Sequence, residues 1–350
     1  MDLFLDFLAA FGRQLQSPTL SFLLGGMAIA ALGTRLEIPD AIYRFIVVVL
    51  MLRIGLGAGI AIREADLSDI LLPALAASVL GVGIVLIGRL TLAPLSGPRP
   101  EDGIATAGVF GAVSASTLAA AMVLMEEDGL RFEAWAPALY PFMDIPALLT
   151  AIVLAQLARA RSAPVAATAG TAPGFAPVPA RGATRPRIGP IIADSLRGAA
   201  LSALALGLVL GMIARPDPVF HSFYDPLFRG FLSILMVIMG MEAWARLAEL
   251  RRVAHVYAVY GVTAPLVHGG LGFGLGWLAH LATGFSPGGV VLLAVMAASS
   301  SDISGPPTLR AAIPSANPAA YIGASTSIGT PVALLSIPLW IALADVVFAL

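Results

Sequence analysis

Residues 297–309 place hydroxyl groups, a carboxylate and helix-breaking residues inside an apolar region. They read Ala-Ala-Ser-Ser-Ser-Asp-Ile-Ser-Gly-Pro-Pro-Thr-Leu and follow the apolar residues 288–296. At membrane depth, irregular polar chain has to lie inside protein or beside a watery cavity, because every backbone group needs a partner. An ionisable residue such as Asp302 in a membrane span indicates a functional site. Hydroxyl, carboxylate and freed backbone groups can bind small ions, so this segment predicts half of an ion-binding site.

A second segment of the same kind is residues 111–117, Gly-Ala-Val-Ser-Ala-Ser-Thr, near the middle of another apolar run. Serine is a preferred residue immediately before a helix, where its hydroxyl accepts from a free N–H group. Ser114 or Ser116 can therefore cap a half-helix that begins at Thr117. We expect both segments to interrupt their helices near the centre of the membrane.

The ends of the interrupted helices predict which ions the site binds. Ser304 can cap a half-helix that begins at Pro306, because proline fits the first helical turn. Two half-helix N-termini that meet would offer N–H groups and partial positive charge to a small anion. The opposite half-helix C-termini offer carbonyl groups that suit a hard cation such as sodium. The predicted substrate-binding residues are Ser114, Ser116, Thr117, Ser300, Ser301, Ser304 and Gly305.

Two carboxylates are candidates for binding the cation. Asp302 follows the serine run, and Asp144 lies within an apolar span, two residues before Pro146. We predict that Asp302, Asp144 and Ser301 bind sodium, and the sequence leaves open which aspartate is the ligand. The alternative is structural, because a carboxylate can cap backbone N–H groups freed at a break and a serine hydroxyl can bond back to its own helix.

The composition is that of a polytopic, all-α membrane protein. The chain has 350 residues, of which 58% are hydrophobic and 12% charged, and its mean hydropathy is +0.91. The net charge of −1 gives no indication of nucleic-acid binding, and the absence of cysteine excludes disulfides and thiolate metal sites. The sequence contains no zinc-protease, nucleophile-elbow or phosphate-loop motif, so we predict neither an enzyme nor a cofactor other than sodium as coupling ion.

Ten apolar segments are predicted to span the membrane. They are residues 18–32, 41–62, 70–92, 103–125, 134–157, 191–213, 226–244, 253–281, 288–313 and 318–348. A linker at 159–188, rich in alanine and proline, separates a first five-helix half, 1–158, from a second, 189–350. Because the linker is also rich in arginine, we expect it to be cytoplasmic and both chain termini to lie outside.

The two halves are predicted to be an inverted repeat. Asp40 matches Asp225 at an offset of 185 residues, and Gly55 matches Gly240 at the same offset. Asp225 and Arg229 themselves are expected to mark only the start of a helix at the membrane interface. An odd number of spans per half inverts the second copy, which is the architecture of many secondary transporters. Spans four and nine would then be discontinuous helices that cross; a channel is the less favoured alternative, because channels are typically built around rotational symmetry.

Several long motifs resemble the cyanobacterial sodium-dependent bicarbonate transporters (SbtA). They lie at residues 110–119, 140–147, 223–230, 239–244 and 299–310. The resemblance implies bicarbonate import across the inner membrane, driven by sodium, in a carbon-concentrating mechanism. It also implies a homotrimer of protomers with core and gate domains, and a PII-like signalling protein that binds on the cytoplasmic side.

Two features depart from that family. The linker is short and rich in alanine and proline, which bears on regulation by the signalling protein. Ala115 stands where we expect glycine, and its methyl group would crowd a ligand that approaches this backbone. The alternative function is sodium- or proton-coupled transport of another small anion.

Overall fold

The computed structural model describes residues 18–92, 94, 99–162, 197–247, 255–302 and 305–349. The regular elements within these ranges are all helical. The helices of the first half are α1 (Pro18–Ala31), α2 (Asp40–Glu64), α3 (Leu67–Leu92), α4 (Pro100–Gly111), α5 (Ala115–Glu127) and α6 (Tyr140–Ser162). Those of the second half are α7 (Ala199–Ile213), α8 (Asp217–Val219), α9 (Asp225–Leu247), α10 (His255–Thr283), α11 (Pro287–Ala298), α12 (Gly305–Ala312), α13 (Pro318–Ile322) and α14 (Thr330–Phe348).

Three shorter elements join these helices. A 3-10 helix at Ala136–Leu139 leads into α6, and π-helices at Phe220–Tyr224 and Gly323–Gly329 lead into α9 and α14. Helix α6 continues through Ser162, four residues into the predicted linker, and residues 163–196 lie outside the described ranges. The predicted linker is therefore described only at its beginning.

Seven helical segments are long and apolar enough to cross a membrane. They are Asp40–Glu64, Leu67–Leu92, Pro100–Glu127, Ala136–Ala158, Asp217–Ala245, His255–Thr283 and Ala320–Phe348. Apolar helices of 14, 15 and 12 residues, α1, α7 and α11, occupy the positions of the remaining predicted spans. The chain is thus a multi-pass membrane protein, and the total of ten spans stays a prediction.

One group of helices packs through glycine. Helix α2 lies along α7, α1 lies along α9, and α2 also contacts α9. A Cβ atom built on Gly55 would overlap the backbone of Leu204 in α7, and one built on Gly240 would overlap the backbone of Leu23 in α1. Glycine allows this close approach because it has no side chain. Close approach stabilises the pair, because lipid supplies no hydrophobic driving force between helices and their attraction depends on packing.

The remaining long helices form a second group around α4, α5 and α11. Helices α3 and α6 pack on α4, while α10 and α14 pack on α11. The membrane-spanning window within Pro100–Glu127 is buried in protein along its whole length, as are the residues of α11 from Gly288 onward. Interrupted helices need such an enclosed position, because lipid cannot satisfy the backbone groups at a break.

Ion pairs connect α2 and α5 with the start of α9. The Arg53 guanidinium pairs with Asp225 and lies over the rings of Phe220 and Phe228. Arg229 pairs with Glu126 at 3.3 Å. From the sequence we expected Asp225 and Arg229 only to mark the start of a helix. In the structure each of them also forms an ion pair with another helix. The pairing arises because helices from the two halves pack side by side and bring these charges together.

Candidate functional site

The first helix interruption lies between α4 and α5. Residues 112–114 leave the helical conformation, and Ser114 is extended, with φ −88° and ψ 123°. Its hydroxyl accepts from the N–H of Thr117 at 3.3 Å, so Ser114 is the N-cap and α5 begins at Ala115. The predicted start at Thr117 is therefore two residues late, because Ser116 lies within the first turn instead of before it.

Two side chains of α6 satisfy the backbone of this break. The Val113 N–H donates to Asp144 Oδ1 at 3.0 Å, and the Tyr140 hydroxyl donates to the Val113 carbonyl at 3.1 Å. Asp144 is fully buried, and its Oδ2 has no hydrogen-bond partner among the described residues. The structural role weighed for Asp144, capping a freed N–H group, is thus observed for one of its two oxygens.

The second interruption lies between α11 and α12. Helix α11 ends at Ala298, residues 299–302 are not helical, and α12 begins at Gly305, one residue before the predicted start at Pro306. The Gly305 N–H donates to Ser301 Oγ at 2.8 Å, so Ser301 satisfies the start of α12. Ser304, the predicted cap and a predicted substrate ligand, lies outside the described residues.

The two breaks contact each other directly. The Ser114 N–H donates to Ser299 Oγ at 3.0 Å, and the Ser301 N–H donates to the Val109 carbonyl at 2.8 Å. Ser114, Ser299 and Ser301 are all fully buried. The second break thus supplies an acceptor to the first, and the last turn of α4 supplies one to the second, which fixes the relative position of the two breaks.

Asp302 lies at this contact and is held by two hydroxyl groups. Ser116 Oγ donates to Asp302 Oδ2 at 3.1 Å, and the Tyr43 hydroxyl of α2 donates to the same oxygen at 3.3 Å. Ser114 Oγ lies 2.9 Å from Ser116 Oγ and extends the chain of hydroxyl groups. The buried atoms Asp302 Oδ1 and Thr117 Oγ1 have no partner within the described ranges. Unpartnered buried oxygens of this kind suit an ion or water that the protein binds.

Polar groups from the last span hold the second break, and sequence analysis missed them. Ser325 Oγ donates to Ser300 Oγ at 2.9 Å and to the Ser301 carbonyl at 3.2 Å. Ser300 Oγ also lies 3.4 Å from Thr330 Oγ1. The available signal was the run Ser-Thr-Ser-Ile-Gly-Thr at 325–330, which places polar residues in the middle of an apolar span.

A cavity of about 660 Å3 leads from the surface to Asp302. Its lining includes Tyr43, Arg44, Arg197 and Arg310. Tyr43 and Arg44 lie near the start of α2, Arg197 lies just before α7, and Arg310 lies near the end of α12. The cavity thus opens beside Arg197, nine residues after the predicted linker, and the carboxylates of Asp40, Glu242 and Asp302 balance its three arginines.

The comparison with known families decides the identification. The family model of the Na+-dependent bicarbonate transporter superfamily matches residues 18–345, nearly the whole chain. The chain belongs to the Na+-dependent bicarbonate transporter superfamily. No individual curated protein matches the chain significantly.

Membership of this transporter family confirms the resemblance stated from the sequence. The transporter brings Ser114, Ser116 and Asp302 into one hydrogen-bonded group, with Ser301 linked to it through the contact of the two breaks. Asp144 lies against the first break instead, hydrogen-bonded to Val113 and outside the lining of the cavity that reaches Asp302.

Proposed function

We propose that the transporter is a sodium–bicarbonate symporter that imports inorganic carbon. The observation that carries this proposal is the contact of two interrupted helices, with the Asp302 carboxylate held between Ser116 and Tyr43. Interrupted helices of secondary transporters present backbone groups to substrate and coupling ion. Family membership supplies bicarbonate and sodium as the transported ions.

Bicarbonate is proposed to bind where the half-helices α5 and α12 begin. Helix N-termini carry free N–H groups and partial positive charge, which suit a small anion. Hydroxyl groups of the two breaks would supply further donors. The buried, unpartnered hydroxyl of Thr117 supports this placement, since it is available to a bound anion. The proposed bicarbonate ligands are Ser114, Ser116, Thr117, Ser300, Ser301, Ser304 and Gly305.

Sodium is proposed to bind at Asp302. The unpartnered Asp302 Oδ1 offers a charged oxygen, and freed carbonyl groups at the breaks would complete a shell of oxygen ligands. The bound cation would then compensate the charge of bicarbonate in a site without lysine, so that each ion strengthens the binding of the other. Asp144 remains the alternative sodium ligand, although the Val113 N–H already occupies one of its oxygens.

Alternating access is proposed to follow from movement between the two groups of helices. Helices α1, α2, α7 and α9 would form the gate domain, and the other long helices the core domain. The cavity on the linker side corresponds to an inward-open arrangement if the linker is cytoplasmic.

An inverted repeat is supported by matched contacts at the breaks. Ser114 and Ser299, which hydrogen-bond to each other, are 185 residues apart. Tyr140 and Ser325 are also 185 residues apart, and each donates a hydroxyl to a carbonyl in a break. We therefore propose halves at 1–158 and 189–350 that span the membrane in opposite orientations.

Assembly and location are proposed from the family resemblance. The transporter would be a homotrimer in the inner membrane, with both termini outside and the linker 159–188 cytoplasmic. A PII-like signalling protein would bind on the cytoplasmic side, where the cavity opens.

Uptake of labelled bicarbonate into sealed proteoliposomes tests the proposed function. We expect the bicarbonate concentration inside to exceed that outside only when sodium is higher outside. With equal sodium on both sides, or with potassium alone, we expect no accumulation of bicarbonate. Equal uptake with and without a sodium gradient would contradict symport and favour a channel. Competition by chloride, sulfate or acetate stronger than that by unlabelled bicarbonate would point to another anion.

A further inference from the structure

A second group of buried oxygens lies beside the second break. It consists of the hydroxyl oxygens of Ser300, Ser325 and Thr330 and the carbonyl oxygens of Ser301 and Ser325, and we call it the Ser300 cluster. The four residues that contribute these oxygens are 0% exposed. The cluster joins the break between α11 and α12 to the π-helix and α14, whereas Asp302 points to Ser116 and Tyr43.

Three of the contacts in the Ser300 cluster are long for hydrogen bonds. Ser300 Oγ lies 3.4 Å from Thr330 Oγ1 and 3.5 Å from the Ser325 carbonyl, and Ser325 Oγ lies 3.2 Å from the Ser301 carbonyl. Good hydroxyl bonds are about 2.7–2.8 Å long. The edge of an octahedron with ligands about 2.4 Å from a hard cation is about 3.4 Å long. The Ser325 Oγ–Ser300 Oγ distance of 2.9 Å is an ordinary hydrogen bond, whereas the three longer spacings fit oxygens arranged around a cation.

The hydroxyl of Thr330 differs in its hydrogen bond from several other helical threonines. Thr150, Thr263 and Thr326 each donate to the carbonyl four residues earlier in their own helix. The recorded hydrogen bond of the Thr330 hydroxyl is instead with Ser300, across the helix interface. The Thr330 oxygen therefore faces the Ser300 cluster instead of the carbonyl groups of its own helix.

The local backbone also suits an ion site. The Thr330 N–H bonds to the Ser325 carbonyl in the wider i→i+5 pattern of a π-helix, an irregularity that is frequent at functional sites. A Cβ atom on Gly329 would lie 2.7 Å from the Phe110 ring and 3.0 Å from Ser300 Oγ. Glycine at this position therefore allows the π-helix to come close to the break.

We infer that the Ser300 cluster is a second sodium site, formed by neutral hydroxyl and carbonyl oxygens, so that Ser300 Oγ binds sodium instead of bicarbonate. This inference rests on the proposed symport at Asp302 and adds a second coupling ion to it. Two sodium ions and one bicarbonate carry one net positive charge inward per cycle. Transport is then electrogenic, and an inside-negative potential drives it.

The charge-to-substrate ratio of the unmodified transporter tests this inference without any substitution. Proteoliposomes with a sodium gradient receive labelled bicarbonate, and net charge movement is measured in parallel. We expect about one positive charge per bicarbonate, and a Hill coefficient for sodium that approaches 2. An imposed potential of about 100 mV, inside negative, should raise the accumulation limit about 50-fold. Electroneutral uptake with a Hill coefficient of about 1 would overturn the second site.

Substitutions then assign the second ion to the cluster. Thr330→Val keeps the side-chain shape but removes the oxygen, and Thr330→Ser restores a hydroxyl. Ser325→Ala removes a second ligand, and Ser336→Ala is the matched control. Ser336 is also a buried α14 hydroxyl, but it bonds to the Ala333 carbonyl and Trp340.

The variants have distinct expected outcomes. Thr330→Val and Ser325→Ala should lower the Hill coefficient to about 1 and abolish the response to potential, whereas Thr330→Ser and Ser336→Ala should retain both. A cluster that serves only as a hydrogen-bond network would lower the thermal stability of Thr330→Val in sodium and potassium alike. That network would also leave the charge ratio of the folded variant unchanged, which would overturn the assignment.

Failure of the inference can be distinguished from failure of the proposed function. Without sodium-driven bicarbonate uptake in the unmodified protein, symport itself fails. If that uptake is present but electroneutral, symport stands and the second sodium site is wrong. If Thr330→Val does not fold, the charge ratio of the unmodified transporter still decides.

Discussion

Replacing Asp302 by asparagine should weaken sodium binding while leaving the helix breaks in place. Asparagine has nearly the same shape, and its side-chain oxygen can still accept from Ser116 and Tyr43, which donate to Asp302 Oδ2 at 3.1 and 3.3 Å. The substitution therefore removes the negative charge and keeps the acceptor. A loss of sodium affinity in this variant therefore reports on ion binding more than on folding.

The expected loss of sodium affinity in Asp302→Asn follows from the distance between the ion and the carboxylate. A sodium ion about 2.4 Å from a carboxylate oxygen gains about 7 kcal/mol at an effective dielectric constant of about 20. Desolvation of both charges cancels much of this attraction. If only a quarter remains, about 1.7 kcal/mol, the apparent sodium affinity falls more than about tenfold.

The assay is the initial rate of labelled bicarbonate uptake at increasing external sodium. Asp302→Asn should raise the half-saturating sodium concentration at least about tenfold, with unchanged elution in size-exclusion chromatography. Asp144→Asn is the control, because Asp144 is a fully buried carboxylate beside the first break and its asparagine can still accept from the Val113 N–H. We expect the control to shift the sodium dependence less than about threefold. An unchanged Asp302→Asn, or an equally large effect at Asp144, would refute the assignment.

Three further substitutions test the packing and the breaks. Gly55→Ala should lower the free energy of unfolding by about 1–3 kcal/mol in detergent denaturation, because the new Cβ meets the α7 backbone; Gly25→Ala, with open space around it, should be neutral. Tyr140→Phe should cost about 1–2 kcal/mol in the same assay, since the Val113 carbonyl loses its donor. Ser114→Ala should cost about 1 kcal/mol through the lost N-cap, and Ser114→Gly less.

The helix interruptions could be predicted because their local sequence conflicts with a lipid-facing helix. A serine run with Asp302 in the middle of an apolar segment leaves few structural solutions at membrane depth. The cap position was less certain, because Ser114 and Ser116 are both good N-caps and only the backbone conformation selects Ser114. The resulting error of two residues is typical of helix boundaries.

The contacts between distant helices could not be predicted from local patterns. Tyr43 reaches Asp302 across 259 residues, and Arg53 pairs with Asp225 across 172 residues. Such contacts depend on the rotation and offset of packed helices, which a single sequence does not specify. The π-helix that presents Ser325 is a similar case, since its origin lies in the packing around the break.

A density map of the transporter in sodium and bicarbonate, compared with one in potassium without bicarbonate, tests the central claim most directly. We predict added density between Thr117 and Asp302, with an ion about 2.4 Å from an Asp302 carboxylate oxygen. The contact of Ser114 with Ser299 should be present in both maps. Ligand density away from the two breaks, or a continuous helix through either of them, would contradict the account.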